Sequence, residues 1–236
     1  LTQLRMAGVP VQRGVSGLRA EGADRVQRLH WTQAGRAGQV GQEYSVACDA
    51  VAFGHGLRSE TQLADLAGCA FDWDALDEGW LPRRDAAGRS SVAGVYLAGD
   101  GAGIAGADAA ELTGERAALA VLQDLGHAVD GRRIAALERA LHSQRRFRRA
   151  IEVLSPPPVD WAQSVEDDLV VCRCEEVTAG ELRACVRDTG TRDLNRLKAQ
   201  TRVGMGRCQG RMCGAAAARL LAQATGQALS EVGRLR

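Results

Sequence analysis

The sequence predicts an α/β chain in two parts, a larger one mixing strands with helices and a small, mainly helical one that carries cysteines. Three observations predict it. Residues 91–98 (S-V-A-G-V-Y-L-A) read as a short buried strand running through Gly99-Asp100-Gly101-Ala102-Gly103 into an Ala-rich helix, the order of half a βαβ unit. Ser155-Pro156-Pro157-Pro158 ends a second long helix, since prolines cannot continue one, and forms a stiff spacer. Beyond it, Cys172, Cys174, Cys208 and Cys213 fall into two tight pairs. The expected division is therefore 1–155, a linker at 156–168, and 169–236.

Composition narrows the classes. The chain has 236 residues, 45% hydrophobic and 25% charged, close to an average globular protein. Lysine plus arginine is 30 against 29 acidic residues, a net charge of +1, so bulk charge argues neither for nucleic acid nor for an acidic membrane surface. No stretch approaches the ~18 apolar residues of a membrane span. With no basic-then-apolar leader, a cytoplasmic location is expected. The chain opens on Leu1, and Leu1, Leu4 and Ala7 before Gly8 look like the last turns of a helix, so a C-terminal piece of something longer is expected.

In chain order, Val9 to Leu18 reads as a strand broken by Gly14 and Gly17. Arg25 to Thr32 alternates as a half-buried strand, and 34–41 is a glycine-rich turn. Glu43 to Ala47 and Ala50 to Phe53 read as strand, then Ser59 to Ala67 as a short helix with Ser59 as N-cap. Helices follow at 107–125 and 132–154, the second with seven arginines in its first eighteen residues. Such a face is usually solvated; its functional reading is a docking surface for an acidic partner. The last part reads as a strand at 169–171 and helices at 179–189, 192–201 and 215–225. The four histidines and four tryptophans are scattered and read as structural, with His55 in its Gly-His-Gly turn the one worth testing.

The paired cysteines carry the sharpest signal. Seven cysteines with two close pairs make a poor disulfide framework, and a metal or redox site fits better. Gly204, Gly206 and Gly210 let the loop around Cys208 bend sharply and leave backbone N–H groups to point at sulfur. Cys213 starts a helix, where an anionic ligand is favoured. Four thiolates suit an iron–sulfur cluster or tetrahedral zinc, and C-x-C with C-x4-C does not choose between them on spacing alone. Cys185, near Leu182 and Val186, reads as a small buried hydrophobe.

The runs V-C-R-C-E-E-V-T-A-G-E-L and K-A-Q-T-R-V-G-M-G-R-C-Q-G-R-M-C resemble the [2Fe–2S]-binding domain of bacterioferritin-associated-ferredoxin type. The resemblance covers most of 169–225. It implies that Cys172, Cys174, Cys208 and Cys213 ligate one [2Fe–2S] cluster.

Gly101, Gly103 and Gly106 spell G-x-G-x-x-G, but that fingerprint requires a strand after the helix, and Gly126 and His127 lead into another helix. Instead 89–120, centred on A-G-D, resembles the C-terminal FAD-contacting motif of two-dinucleotide-domain flavoproteins, the glutathione-reductase-like group. That implies Asp100 on a ribityl hydroxyl, close backbone approach at Gly99 and Gly101, and a helix N-terminus at Ala107 facing flavin and pyrophosphate. C-D-A-V-A-F-G-H-G-L-R-S-E-T-Q-L-A also fits, as the strand that closes an NAD(P)-like domain, although Arg58 stands near where that group often has proline.

Together these runs resemble the large subunits of hydrogen cyanide synthase, opine oxidase and proline or hydroxyproline dehydrogenase complexes. The implied fold is the C-terminal part of a two-dinucleotide-binding-domain flavoprotein followed by a small [2Fe–2S] domain. The implied function is electron transfer in an oxidoreductase subunit, with FAD completed by an absent N-terminal half and NAD(P) as a further cofactor. The implied partners are a flavin-bearing beta subunit that oxidises an amine or imino acid, and a small ferredoxin-like subunit. The alternative is a four-cysteine zinc module for assembly.

Overall fold

Alternation along 15–47 produces an antiparallel meander, β1 (Val15–Glu21), β2 (Arg28–Gln33) and β3 (Gln42–Ala47), in that spatial order. The computed structural model describes residues 2–33, 41–54, 57–154 and 161–236. The chain divides into two compact units, 1–56 and 57–236. In the first, α1 (Thr2–Met6) precedes the sheet. Trp31 faces Tyr44 across β2 and β3, with the rings stacked 6.0 Å apart. His30 meets Glu21 at 2.5 Å across the sheet. The first strand starts later than its sequence pattern, and its register shifts between Ser16 and Arg19, where Gly17 takes φ 59°. Residues 50–53 form no strand, because the pairing with β2 ends where the Cys48 N–H meets the Gln27 carbonyl (3.1 Å). The expected turn at 34–40 and His55 lie outside the described residues.

The second unit opens with α2 (Gln62–Leu66). Its N-cap is Thr61, not Ser59, and the Glu60 carboxylate takes the Gln62 N–H (3.1 Å). A hairpin that the periodicity did not announce comes next, β4 (Phe71–Asp74) with β5 (Gly79–Pro82). Its turn is readable in retrospect: Asp74 accepts the N–H groups of Leu76 and Asp77 (2.9 Å each), and Trp73 meets Trp80 edge-on at 5.8 Å.

The strand expected over 91–98 is absent. Tyr96 makes an isolated bridge to Arg89, and the Leu97 N–H reaches the Gly88 carbonyl (2.7 Å). The segment folds back on 84–90 in place of joining a sheet. Arg89 and Tyr96 then hold it to the end of α3 (Ala107–Asp124). The Arg89 guanidinium donates to both Asp124 oxygens (2.7 Å each) and Tyr96 donates at 2.5 Å. These bonds, Arg89 first, bring the Asp124 carboxyl down to about 2.

Between that segment and α3, Gly99–Ala102 forms a single 3-10 turn. After α3 the chain enters α4 (Gly131–Leu154), another helix and not a strand. Ala109, Ala117 and Ala120 of α3 and Leu137 and Leu141 of α4 are buried where the two helices pack, and Arg116 bonds Glu138 across them (3.2 Å). No helix among the described residues is long and apolar enough to cross a membrane.

After α5 (Trp161–Ser164), a small hairpin pairs β6 (Val170–Cys172) with β7 (Val177–Thr178). Three helices then close a core of their own: α6 (Ala179–Thr189), α7 (Leu194–Thr201) and α8 (Gly214–Thr225). Each boundary has a local cause. Thr178 and Glu181 form a reciprocal capping box at α6, Asp193 caps α7, and Gly190 and Gly226 end α6 and α8 in the left-handed region. Leu182, Leu197, Val203, Leu220, Leu221 and Val232 are at most 1% exposed and fill the centre.

Leu220→Ala should cost about 2–5 kcal/mol of stability, read by chemical denaturation. Thr178→Ala should cost about 1 kcal/mol through the lost cap.

Candidate metal centre and dinucleotide turn

Local folding brings the four paired cysteines together. Cys172 ends β6, Cys174 lies in the β6–β7 turn, Cys208 in the loop after α7, and Cys213 at the N-cap of α8. The Cys172 thiol lies beside that of Cys213, and the Cys174 thiol beside that of Cys208. Cys172 and Cys213 are buried, Cys208 half-buried and Cys174 exposed, so the group opens to one side.

Backbone N–H groups line it. Burial opposes ionisation of Cys172, but N–H groups of Gly204, Glu175 and Cys174 and the Cys213 thiol outweigh it and hold the thiol below its ordinary value. Cys208 is also held below, first by the Met212 N–H, against some burial, and then by the Gly210 N–H and the Cys174 thiol. Cys213 is pushed up to about 12 by burial, by its bond to Cys172, and by the negative charge of Cys172 and Cys208. Four sulfurs so placed cannot all ionise unless a positive centre joins them.

The donor set is all sulfur, which selects soft metal centres. Among the described residues no group of three or more His, Cys, Asp or Glu side chains is gathered closely enough to hold a metal ion. The sulfurs stand as two adjacent pairs, and a [2Fe–2S] centre takes thiolates on each of two irons. The residues present therefore fit such a centre.

Glycine is required at one point of this loop. A Cβ on Gly206 would lie 2.1 Å from the Cys174 Cβ, so no larger residue lets the loop close on that turn. Cys185 stands apart from the group. It is half-buried against the core and donates to Gln200 (3.2 Å), so it is a hydrogen-bonded side chain and not a fully buried hydrophobe.

The dinucleotide turn lies in the same compact unit. Gly99 has φ 60°, and its N–H donates to Thr113 (3.0 Å) on α3. Asp100 is exposed and makes no hydrogen bond or ion pair among the described residues. Gly101 is half-buried beside the Glu60 carbonyl, which a Cβ would approach to 3.5 Å. Ala107 begins α3, exposed, behind Gly106 at φ 99°, and no side chain caps that helix start. A turn with an unpaired carboxylate beside uncapped N–H groups can bind a polyol and a phosphate. The residues present fit the flavin role that the sequence suggested for them.

Sequence reasoning missed how the cysteine loop is seated. Arginines from the last 26 residues meet carboxylates of 57–78: Arg211 pairs with Glu60, Arg219 with Glu78, and Arg234 with Asp65 (2.5 Å). Arg234 also lies 3.5 Å over the Phe71 ring. Between these contacts is a cavity of about 200 Å³, where the buried Ser59 hydroxyl and Trp80 indole N–H have no hydrogen-bond partner among the described residues. Arg58, the departure at the expected proline, donates to the Glu78 carbonyl (3.0 Å) on its edge. The opposite charges are visible in the sequence, but their separation along the chain hides the pairing.

Gly206→Ala should lower bound metal several-fold by elemental analysis, because the loop cannot close on Cys174. Gly114→Ala, where a Cβ meets nothing within 4 Å, should leave it unchanged.

Comparison with known proteins agrees with this geometry. Residues 170–223 match the BFD-like [2Fe-2S] binding domain. An opine oxidase subunit of Rhizobium meliloti is 37% identical over 94% of this chain and 42% of its own length. The hydrogen cyanide synthase subunit HcnB of Pseudomonas protegens is 32% identical over all of this chain and 50% of its own length. An anaerobic glycerol-3-phosphate dehydrogenase subunit of Escherichia coli is 50% identical over 22% of this chain. The chain spans about half the length of the curated relatives that it matches throughout. It is thus homologous to oxidoreductase subunits of the opine oxidase and hydrogen cyanide synthase type, and its residues 170–223 form a BFD-like [2Fe-2S] binding domain.

Proposed function

We propose that this chain is the cluster-bearing and flavin-contacting part of an electron-transferring oxidoreductase subunit. The observation that carries the reading is the meeting of two thiol pairs, Cys172 beside Cys213 and Cys174 beside Cys208, in a loop that matches a [2Fe-2S] binding domain. Cys172, Cys174, Cys208 and Cys213 would hold a [2Fe–2S] cluster, which when bound supplies a one-electron carrier. The chain's part is to gather the four sulfurs, to donate N–H groups to Cys172 and Cys208, and to keep water from Cys172 and Cys213 by burial.

Gly99, Asp100, Gly101 and Ala107 would contact FAD, with Asp100 on a ribityl hydroxyl and the start of α3 facing the pyrophosphate. The rest of that site would come from residues outside this sequence, and NAD(P) is a further cofactor of the reading. The division 1–155, 156–168 and 169–236 is the domain plan proposed with it. The small core around Leu197 and Leu220 supports independence of the last part.

The names of the opine oxidase and hydrogen cyanide synthase relatives support an amine or imino acid as substrate, such as glycine, proline, hydroxyproline or an opine. The glycerol-3-phosphate dehydrogenase match covers too little of the chain to weigh on the substrate. Oxidation would occur on a flavin-bearing beta subunit in the cytoplasm, and a further partner would be a small ferredoxin-like subunit.

Anaerobically purified chain should contain about two iron atoms and two acid-labile sulfides, and give an EPR signal on reduction with dithionite. Cys208→Ser should abolish both, and Cys185→Ser should leave both intact. Stoichiometric zinc in place of iron, or bleaching by Cys185→Ser alone, would sink the assignment.

A further inference from the structure

The cavity between 57–81 and the C-terminal helices carries a surplus of hydrogen-bond donors. Each of its lining carboxylates already has an arginine partner: Glu60 has Arg211, Asp65 has Arg234, Asp77 has Arg148 and Glu78 has Arg219. Arg58 differs from the other lining arginines. It gives one N–H to the Glu78 carbonyl (3.0 Å) and makes no ion pair among the described residues. The charge of Asp77 reaches it, but that carboxylate is held by Arg148 (3.4 Å). One positive charge is thus left over at the rim, where Arg58 is exposed.

Two neutral donors stand with it. The Ser59 hydroxyl and the Trp80 indole N–H are buried without a partner among the described residues, and both residues line the cavity. A buried donor left unmade costs stability, so each such group calls for an acceptor. Water can satisfy the two neutral donors. An acceptor that is also an anion satisfies them and Arg58 together, and with stronger bonds. Trp73, Leu81, Ala218 and Leu229 give the rest of the wall an apolar surface.

Size narrows the ligand. The cavity of about 200 Å³ has the room of roughly six or seven waters. Pockets for drug-sized molecules begin at about 300 Å³, so a dinucleotide does not fit. None of Gly99, Asp100, Gly101, Ala107 and the four paired cysteines lines it. We propose that this cavity binds a small aliphatic monocarboxylate, whose oxygens accept from Arg58, Ser59 and Trp80 and whose hydrocarbon part lies on the apolar wall.

The test uses the whole chain with isotope-labelled tryptophan indoles and butyrate as the probe. The readout is the Trp80 indole N–H resonance, assigned with Trp80→Phe, or by exclusion with Trp31→Phe, Trp73→Phe and Trp161→Phe where that variant does not fold. Butyrate should shift the resonance saturably, and sodium chloride of equal ionic strength should not. Butanamide has the shape without the charge and should bind about ten- to a hundredfold more weakly. Butylammonium should leave the resonance in place. Arg58→Gln keeps a donor for the Glu78 carbonyl and should weaken butyrate by that same factor while leaving butanamide unchanged. Ser59→Ala should weaken both, yet melt no lower than the unsubstituted chain, because it removes a buried group with no partner to lose. A resonance unmoved by butyrate, or moved equally by butanamide or butylammonium, overturns the proposal. So does an undiminished response in Arg58→Gln, or a lower melting temperature in Ser59→Ala. Iron is counted on the same sample, so failure of the cluster reading is seen separately from failure of this one.

Discussion

Sulfur crowding is the constraint around which the C-terminal part is arranged. Two thiol pairs meet in one place, and burial together with the charge of Cys172 and Cys208 raises the proton affinity of Cys213. Such a group is unfavourable unless something positive joins it, so the surrounding chain has to impose it. Three local devices do so. Gly206 permits contact with Cys174, the start of α8 places Cys213, and N–H groups of Gly204, Gly210 and Met212 face Cys172 and Cys208. The hydrophobic core beneath, with Leu197, Val203 and Leu220 almost wholly enclosed, makes these placements rigid.

A second arrangement sets that part against the segment 57–82. The arginines stand on the cysteine side and the carboxylates on the other, at Glu60, Asp65 and Glu78. Exposed ion pairs contribute little individually, but several in one direction define an orientation. Arg219 and Arg234 are mostly buried in their pairs, and the ring of Phe71 covers the Arg234 guanidinium. The glycine turn at 99–103 lies beside the same surface, since Gly101 approaches Glu60 and Gly103 approaches Leu81.

Legibility of the fold varied with the range of the forces involved. Helices α3, α4, α6 and α8 lie within a residue of their expected limits, because capping residues, glycine stops and 3.6-residue periodicity are local signals. The 91–98 strand failed for the opposite reason. Its apolar pattern suits a sheet, but Arg89, Tyr96 and Asp124 draw it back onto 84–90 and α3. The hairpin at 71–82 was overlooked because Trp73 and Trp80 read as isolated packing residues, whereas the informative signal was the Asp74 turn between them.

By itself the sequence determined which cysteines fall in close pairs, where glycines free the loop around them, and that an Asp stands in a glycine-rich turn ahead of a helix. These come from residue type and spacing, which act over a few positions. Only the tertiary structure decided that Cys172 lies beside Cys213 and Cys174 beside Cys208 across the two ends of the motif, and that Arg211 is anchored on Glu60. Pairings over such distances depend on how helices pack around a shared core, and no local pattern records which distant charge or sulfur that packing will bring near.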